Sequence, residues 1–224
     1  MTSSVPAAQQ VYTQVRAQIL NGDLRAGLLL SEVDTASRLG VSRTPVHEAF
    51  LRLEAEDFLE LLPRKGAVVV PVPPAQAEDI LEVRHALEVA AVRRLARSAP
   101  ARQAFTHAVR DVLAEQDRCA RDGDLPGFAA ADESFHRTII ESSGNALSAR
   151  MYGTMTDRQR RMTIGAVGGR LEWLATLADE HRSLCEQVAA GDAEAFGQAL
   201  LAHLAGTHNV VLGLAPEPQP APRK

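Results

Sequence analysis

The chain has 224 residues, 46% of them hydrophobic, which is enough for a substantial core and excludes a wholly disordered polymer. Its net charge of −4 excludes a uniformly basic nucleic-acid binder, so any DNA contact must come from local placement of cations. No apolar run approaches the roughly 20 residues that span a bilayer, and Met1–Gln10 lacks a charged-then-apolar leader, so a cytoplasmic protein is expected.

Val11, Val15, Ile19 and Leu20 recur at helical spacing and predict a first helix over about Pro6–Leu20, closed by Asn21-Gly22. Ser31 is expected to cap a second, short helix with Val33, Ala36 and Leu39 as its apolar stripe, stopped at Gly40. Ser42 is expected to cap a third. Pro45 is tolerated in its first turn, where backbone N–H groups lack partners anyway. Val46, Ala49, Phe50 and Leu53 make its buried stripe, leaving Arg43, Thr44, His47 and Arg52 off it.

Two β-type runs follow, Phe58–Leu62 and Ala67–Val70, joined by the basic tip Pro63-Arg64-Lys65-Gly66. A short helix, a turn, a second helix and a hairpin make a winged helix-turn-helix, whose second helix enters the major groove. Three stretches carry a more specific likeness: Gly22–Gly27, then Leu39-Gly40-Val41-Ser42-Arg43-Thr44-Pro45-Val46-His47-Glu48-Ala49, then Arg52–Glu56. From about Val11 to Val70 the chain resembles the N-terminal domain of GntR-family bacterial transcription regulators. Two positions depart from that family: His47 stands where Arg is usual, and Asp57 where Gly is frequent. Arginine can grip guanine with two parallel hydrogen bonds and histidine with one at a time, so the usual operator sequence does not carry over.

Pro71-Val72-Pro73-Pro74 reads as a stiff linker and divides the chain into units 1–72 and 75–213, with 214–224 a disordered proline-rich tail. Everything after the linker has helical patterning: about Ala75–Ser98, Ala101–Arg121, Leu125–Ser142, Ala146–Ile164, Arg170–Ala190 and Ala193–Leu212. With turn residues between segments and no strand pattern, a six-helix antiparallel bundle is expected. The fold class is thus mainly α, a winged helix-turn-helix followed by an all-α bundle. Cys119 and Cys185 lie in helical patterns without zinc-type spacing and read as small core or boundary residues, not a disulfide. Trp173 reads as core or dimer interface.

Within the third bundle segment, Asp132 and His136 are four apart and share a helix face amid Phe128, Phe135, Ile139 and Ile140. A carboxylate and an imidazole on a buried face must be paired, protonated or bound to a cation. His181 and His203 recur in later helical surroundings, and three helices can bring one oxygen and three nitrogen donors to one point. The alternative is a set of core polar residues hydrogen-bonded to one another. Glu82–Glu88, Asp132–His136, Gly144-Asn145, Glu180–Arg182, Gly191-Asp192 and His203-Leu204 stand in an order that resembles the metal-binding, six-helix ligand domain (FCD type) of the FadR subfamily.

That resemblance implies the metal ligands Asp132, His136, His181 and His203, with zinc first and nickel or manganese as alternatives. It implies that Arg84 clamps a small carboxylate effector, although a salt bridge to Glu88 one turn on fits equally. Asn145 is carried as a second effector contact, although its place after Gly144 suits a helix-entry or turn residue better. His85, His107 and His208 are left as surface or boundary residues. For DNA, Arg43, Thr44 and His47 are assigned to base edges or nearby phosphate, Ser42 and Arg52 to phosphate, and Arg64, Lys65 and Gly66 to the wing tip. Glu48 and Glu56 flank Arg52 one turn either side, so a solvated surface pair is its competing reading. The expectation is a non-enzymatic, homodimeric regulator, more often a repressor in this family, on a near-palindromic duplex operator. A small organic acid at a metal controls it, with no membrane partner. A metal-dependent enzyme acting on a carboxylate, or a regulator with a purely structural metal, are the rival classes.

Overall fold

The structure is a computed structural model, and it describes residues 5–209. Helix α1 spans Ala7–Leu20 and buries Val11, Tyr12, Val15, Ile19 and Leu20. It packs along α3, Arg43–Ala55, which turns Val46, Ala49, Phe50 and Leu53 inward at helical spacing. Phe50 is wholly buried and contributes about 1.5–3 kcal/mol of transfer free energy. Between them, α2 spans Glu32–Leu39; Ser31 accepts from the Asp34 amide at its start, and Gly40 ends it in the left-handed region.

The wing is a three-stranded antiparallel sheet. Strands β1 (Leu29–Leu30), β2 (Leu59–Leu62) and β3 (Gly66–Val69) lie in the order β1-β3-β2, with Leu30 opposite Ala67 and Leu62 opposite Gly66. Strand β1 is missing from the sequence reading, because two residues are too few to show alternation. Gly66 is required: its φ is 110°, and a Cβ there would lie 2.1 Å from the Leu30 carbonyl oxygen. Asp57 and Arg64 take positive φ without being glycine, at 60° and 65°.

The rest is helical: α4 Pro74–Leu95, α5 Ala99–Ala108, α6 Arg110–Asp122, α7 Leu125–Ser142, α8 Ala146–Gly153, α9 Thr156–Val167, α10 Trp173–Ala190 and α11 Ala193–His208. Two of the six expected helices are therefore broken. The second divides at Val109, which keeps helical dihedrals, into α5 and α6. The fourth divides at Thr154-Met155 into α8 and α9. The break at Val109 carries neither Gly nor Pro, so the sequence gives no warning of it, whereas Gly153 directly precedes the second break. Pro74 opens α4 instead of belonging to the linker, since a proline at the first helical position loses no hydrogen bond. Ser42 precedes α3 but makes no side-chain cap bond. Val33 is exposed, and Thr35 and Ala36 are the residues α2 buries. Trp173 is half-buried under the Arg170 guanidinium, 3.8 Å from its ring, and does not reach the core. Cys119 is buried, Cys185 partly so, and both thiols are free. The expected end of the last helix at Leu212 and the tail from 214 lie outside the described residues.

Helix α7 is the axis of this half. Phe128, Ala129, Ala131, Asp132, Glu133, Phe135, His136, Ile139 and Ile140 are all buried, so it is enclosed on most sides, by α4, α5, α6, α8 and α9. Helix α9 faces both halves of the chain. Arg158 pairs with Asp57 at 2.8 Å, Asp157 pairs with Arg16, and Arg161 donates to the Asp57 and Val70 carbonyls and lies over the Phe58 ring. No described helix is long and apolar enough to cross a membrane.

Candidate metal centre and nucleic-acid interface

Three helices, α7, α10 and α11, converge their polar side chains. Asp132 and His136 come from α7 itself, His181 from α10 and His203 from α11, and one ligand atom from each lies within 4.8 Å of all the others. All four are buried. His181 Nε2 is 3.3 Å from His203 Nε2 and 3.4 Å from Asp132 Oδ1; His136 Nε2 is 4.0 Å from the same oxygen.

The other nitrogen of each ring explains the orientation. His136 Nδ1 lies 2.7 Å from Glu88 Oε2, His181 Nδ1 lies 3.0 Å from Gln116 Oε1, and His203 Nδ1 lies 2.6 Å from Glu180 Oε2. Gln116 donates its amide N–H to the Ala131 carbonyl, so its oxygen must face His181. Each Nδ1 therefore carries the proton, and each Nε2 presents a lone pair. Three lone pairs and a carboxylate then converge, with His136 Nε2 lacking any hydrogen-bond partner. A purely hydrogen-bonded network would need an added proton, either on one Nε2, turning its bare Nδ1 onto an acceptor oxygen, or on the buried Asp132 carboxyl. A cation removes that need, so the residues present fit a metal ion.

Electrostatics agree. Burial pushes the His136 and His181 rings well below the usual imidazole range, with the nearby Arg84 and His203 adding to it, so both stay neutral. Burial raises the Asp132 and Glu88 carboxyls, and Arg84 opposes this in both. Against the burial that disfavours its charge, Arg84 is held protonated by Glu88. Asp132 Oδ2 also accepts from the Thr163 hydroxyl of α9 at 3.1 Å.

Arg84 is 1% exposed. Its Nε meets Glu88 at 2.9 Å, so the salt-bridge reading holds, yet its Nη2 has no partner. Gln159 Nε2 and Thr207 Oγ1 are likewise buried without partners. Each of these three donors lies one helical turn from a residue of the centre: Arg84 from Glu88, Gln159 from Thr163, Thr207 from His203. Asn145 is not among them; its Oδ1 accepts from the Leu147 and Ser148 amides and caps α8. Of the remaining histidines, His85 bonds the Gly197 carbonyl, His107 is exposed, and burial pushes the partly buried His208 down to about 3.

Sequence reasoning missed Glu88 as a partner of His136, and Gln116, Thr163, Gln159 and Thr207 altogether. Glu180 could have been found beside His181. The others sit on helices whose approach to α7 no local pattern announces.

At the other end, a cleft opens between α3 and the wing. It is lined by Arg43, Thr44 and His47 on α3, by Arg64, Lys65 and Gly66 at the wing tip, and by Glu32 of α2. Ser42 does not line it. Arg52 is elsewhere, paired to Glu56 at 3.2 Å, donating to Gln9 and stacked 3.6 Å from the Tyr12 ring centre. Within the cleft Glu32 Oε1 lies 2.7 Å from His47 Nδ1, and Oε2 lies 3.4 Å from Arg43.

Residues 7–69 match the family described as bacterial regulatory proteins, gntR family, and residues 79–206 match the FCD domain. An HTH-type transcriptional regulator from the TAR-I ttuE-ttuC' intergenic region of Agrobacterium vitis is 39% identical over 139 residues, 62% of this chain and 81% of that protein. The HTH-type transcriptional repressor RspR of Escherichia coli is 26% identical over 202 residues, covering 89% of this chain and 86% of RspR. A solved GntR transcriptional regulator from Rhodococcus sp. RHA1 shares the fold at a TM-score of 0.74, with 23% identity over 93% of this chain and 98% of that one.

Proposed function

The chain belongs to the GntR family of bacterial transcriptional regulators, with a C-terminal FCD domain, and from that premise we propose that a small carboxylate bound at a metal in the helical half controls its grip on an operator. The sensing part rests on one observation: four buried ligand atoms within 4.8 Å, accompanied by three buried donors that have no partner. Asp132, His136, His181 and His203 would hold the ion, with zinc first and nickel or manganese as alternatives. When bound, the ion supplies positive charge and coordination positions to an anionic ligand.

This chain's own residues do the rest. Arg84 spends one N–H on Glu88 and keeps Nη2 for an acceptor, which suits a carboxylate oxygen. Gln159 and Thr207 replace Asn145 as the further effector contacts, because Asn145 is consumed in capping. The chain divides at Pro71–Pro73, between the winged helix-turn-helix and α4. Helix α9 is the element that carries the signal. Its Thr163 bonds a metal ligand, while Arg158 and Arg161 hold the Asp57–Phe58 corner of the winged domain. An effector shifts operator affinity only to the extent that it binds the two arrangements of α9 unequally.

For DNA, Arg43, Thr44 and His47 read the major groove, with Arg64, Lys65 and Gly66 in the neighbouring groove or on its backbone. Arg52 is withdrawn from the phosphate role by its internal partners, and Ser42 keeps it only through its exposure beside the cleft. The protein acts as a homodimer, most simply as a repressor, on a near-palindromic site.

The test is a thermal-shift panel of small organic acids, with and without chelator, followed by operator titration with each hit. A hit that needs the metal, changes operator affinity and is recovered chemically unchanged is the expected result. Silence across a broad panel would leave the metal a structural role. Turnover of the acid would make the protein an enzyme.

A further inference from the structure

The acidic side chain in the DNA-facing cleft is unexpected, because a carboxylate there repels phosphate. Glu32 does not point to solvent. Its side chain is 17% exposed, and its two oxygens are divided between His47 and Arg43, the residues read above as facing the bases. The contact to His47 is the shorter, at 2.7 Å. Hydrogen bonding from His47, aided by Arg43, holds the Glu32 carboxyl below the usual carboxylate range against a smaller opposing effect of burial. The carboxylate is therefore ionised and can only accept. The proton of the pair sits on His47 Nδ1, so whenever the ring is neutral Nε2 is bare.

We propose that Glu32 is a specificity-determining residue acting through His47: it fixes the imidazole so that Nε2 faces the major groove as a hydrogen-bond acceptor. An acceptor selects the bases that display an amino group there, adenine through N6 and cytosine through N4. It rejects guanine, whose N7 and O6 are both acceptors. An arginine in the same place reads guanine, so the exchange of Arg for His does more than weaken one contact. It inverts the hydrogen-bond polarity of that position. The other charged groups lining the cleft are Arg43 on the same helix and Arg64 and Lys65 on the wing; all are cations, so Glu32 is the acceptor available to hold Nδ1–H.

The inference rests on the DNA-binding reading, and the experiment separates the two. Binding-site selection from random duplexes is run at pH 8.5, which favours neutral imidazole, for the unmodified chain, His47→Ala and Glu32→Gln. His47→Ala locates the position, which should lose its preference. The unmodified chain should select adenine or cytosine there. Glu32→Gln can donate as well as accept, so it frees the ring to carry its proton on Nε2. Guanine at that position should then rise by about fivefold or more. The melting temperature should be nearly unchanged, which shows that the domain remains folded. Guanine preferred by the unmodified chain, or the same base preference in Glu32→Gln, would overturn the proposal while leaving DNA binding intact. Enrichment of no sequence by the unmodified chain would overturn the DNA reading and this proposal with it.

Discussion

Two histidine–carboxylate pairs in this molecule have the same geometry and opposite surroundings. His47 Nδ1 meets Glu32 at 2.7 Å in an open cleft, and His136 Nδ1 meets Glu88 at 2.7 Å in the buried centre of the helical half. The His47 side chain is 53% exposed, whereas those of His136 and Glu88 are 0% exposed. In both, the carboxylate sets the tautomer and aims Nε2. What differs is what Nε2 faces and what breaking the pair costs. In the cleft water competes for every polar atom, so the pair contributes little to stability and is free to serve recognition. In the interior both partners are wholly buried, so losing the ring leaves a Glu88 oxygen without its hydrogen-bond donor.

The sharpest way to break the comparison is His136→Ala. It removes one Nε2 from the centre and leaves Glu88 with only Arg84. A loss of about 3–5 kcal/mol of stability is expected from the cavity left by a wholly buried ring and the unpaired Glu88 oxygen, read by denaturant melts, together with loss of the ion by metal analysis of purified protein. Unchanged metal stoichiometry would remove His136 from the ligand set. Acid provides the next largest effect. In chelator-treated protein, unfolded imidazoles take up protons below about 6.5, whereas the folded His136 and His181 rings are pushed well below that range and do not. Stability is therefore full above that pH and falls as the pH drops, by about 1.4 kcal/mol per unit for each such ring. A flat melting temperature between pH 7 and 5 would contradict the buried, neutral assignment.

Effects in the cleft should be confined to DNA. Arg43→Ala should weaken operator binding by about 1–3 kcal/mol, or roughly 5- to 150-fold, in a gel-shift titration at fixed salt, with melting temperature and metal content unaltered. Unaltered affinity would return Arg43 to the solvated surface. The smallest change is expected for stability in Glu32→Gln, within about 1 kcal/mol. A drop as large as that of His136→Ala would erase the contrast between the two sites.

Much of this was legible beforehand for a physical reason. Val46, Ala49, Phe50 and Leu53 repeat at the period of one helix, and Asp132 and His136 are one turn apart, so local spacing alone assigns their shared faces. His181 and His203 were legible as candidates through the likeness of short motifs to a known family. The turn at Gly66 was legible because few residues tolerate that backbone. The break at Val109 was not, since it keeps ordinary helical residues and helical dihedrals, and Gly153 before Thr154-Met155 was passed over because a single glycine inside an apolar-periodic run does not by itself end a helix.

The amino-acid sequence thus determined that these segments are helical, which faces of α1, α3 and α7 are apolar, and which side chains are fit to ligate or to donate. Those properties depend on residues a few positions apart. Tertiary structure alone decided that Gln116 orients His181, that Thr163 ties α9 to Asp132 and that Glu32 holds His47. Each is a contact whose meaning depends on how separate elements are packed, and a hydrogen bond a few ångströms long leaves no periodic trace along the chain.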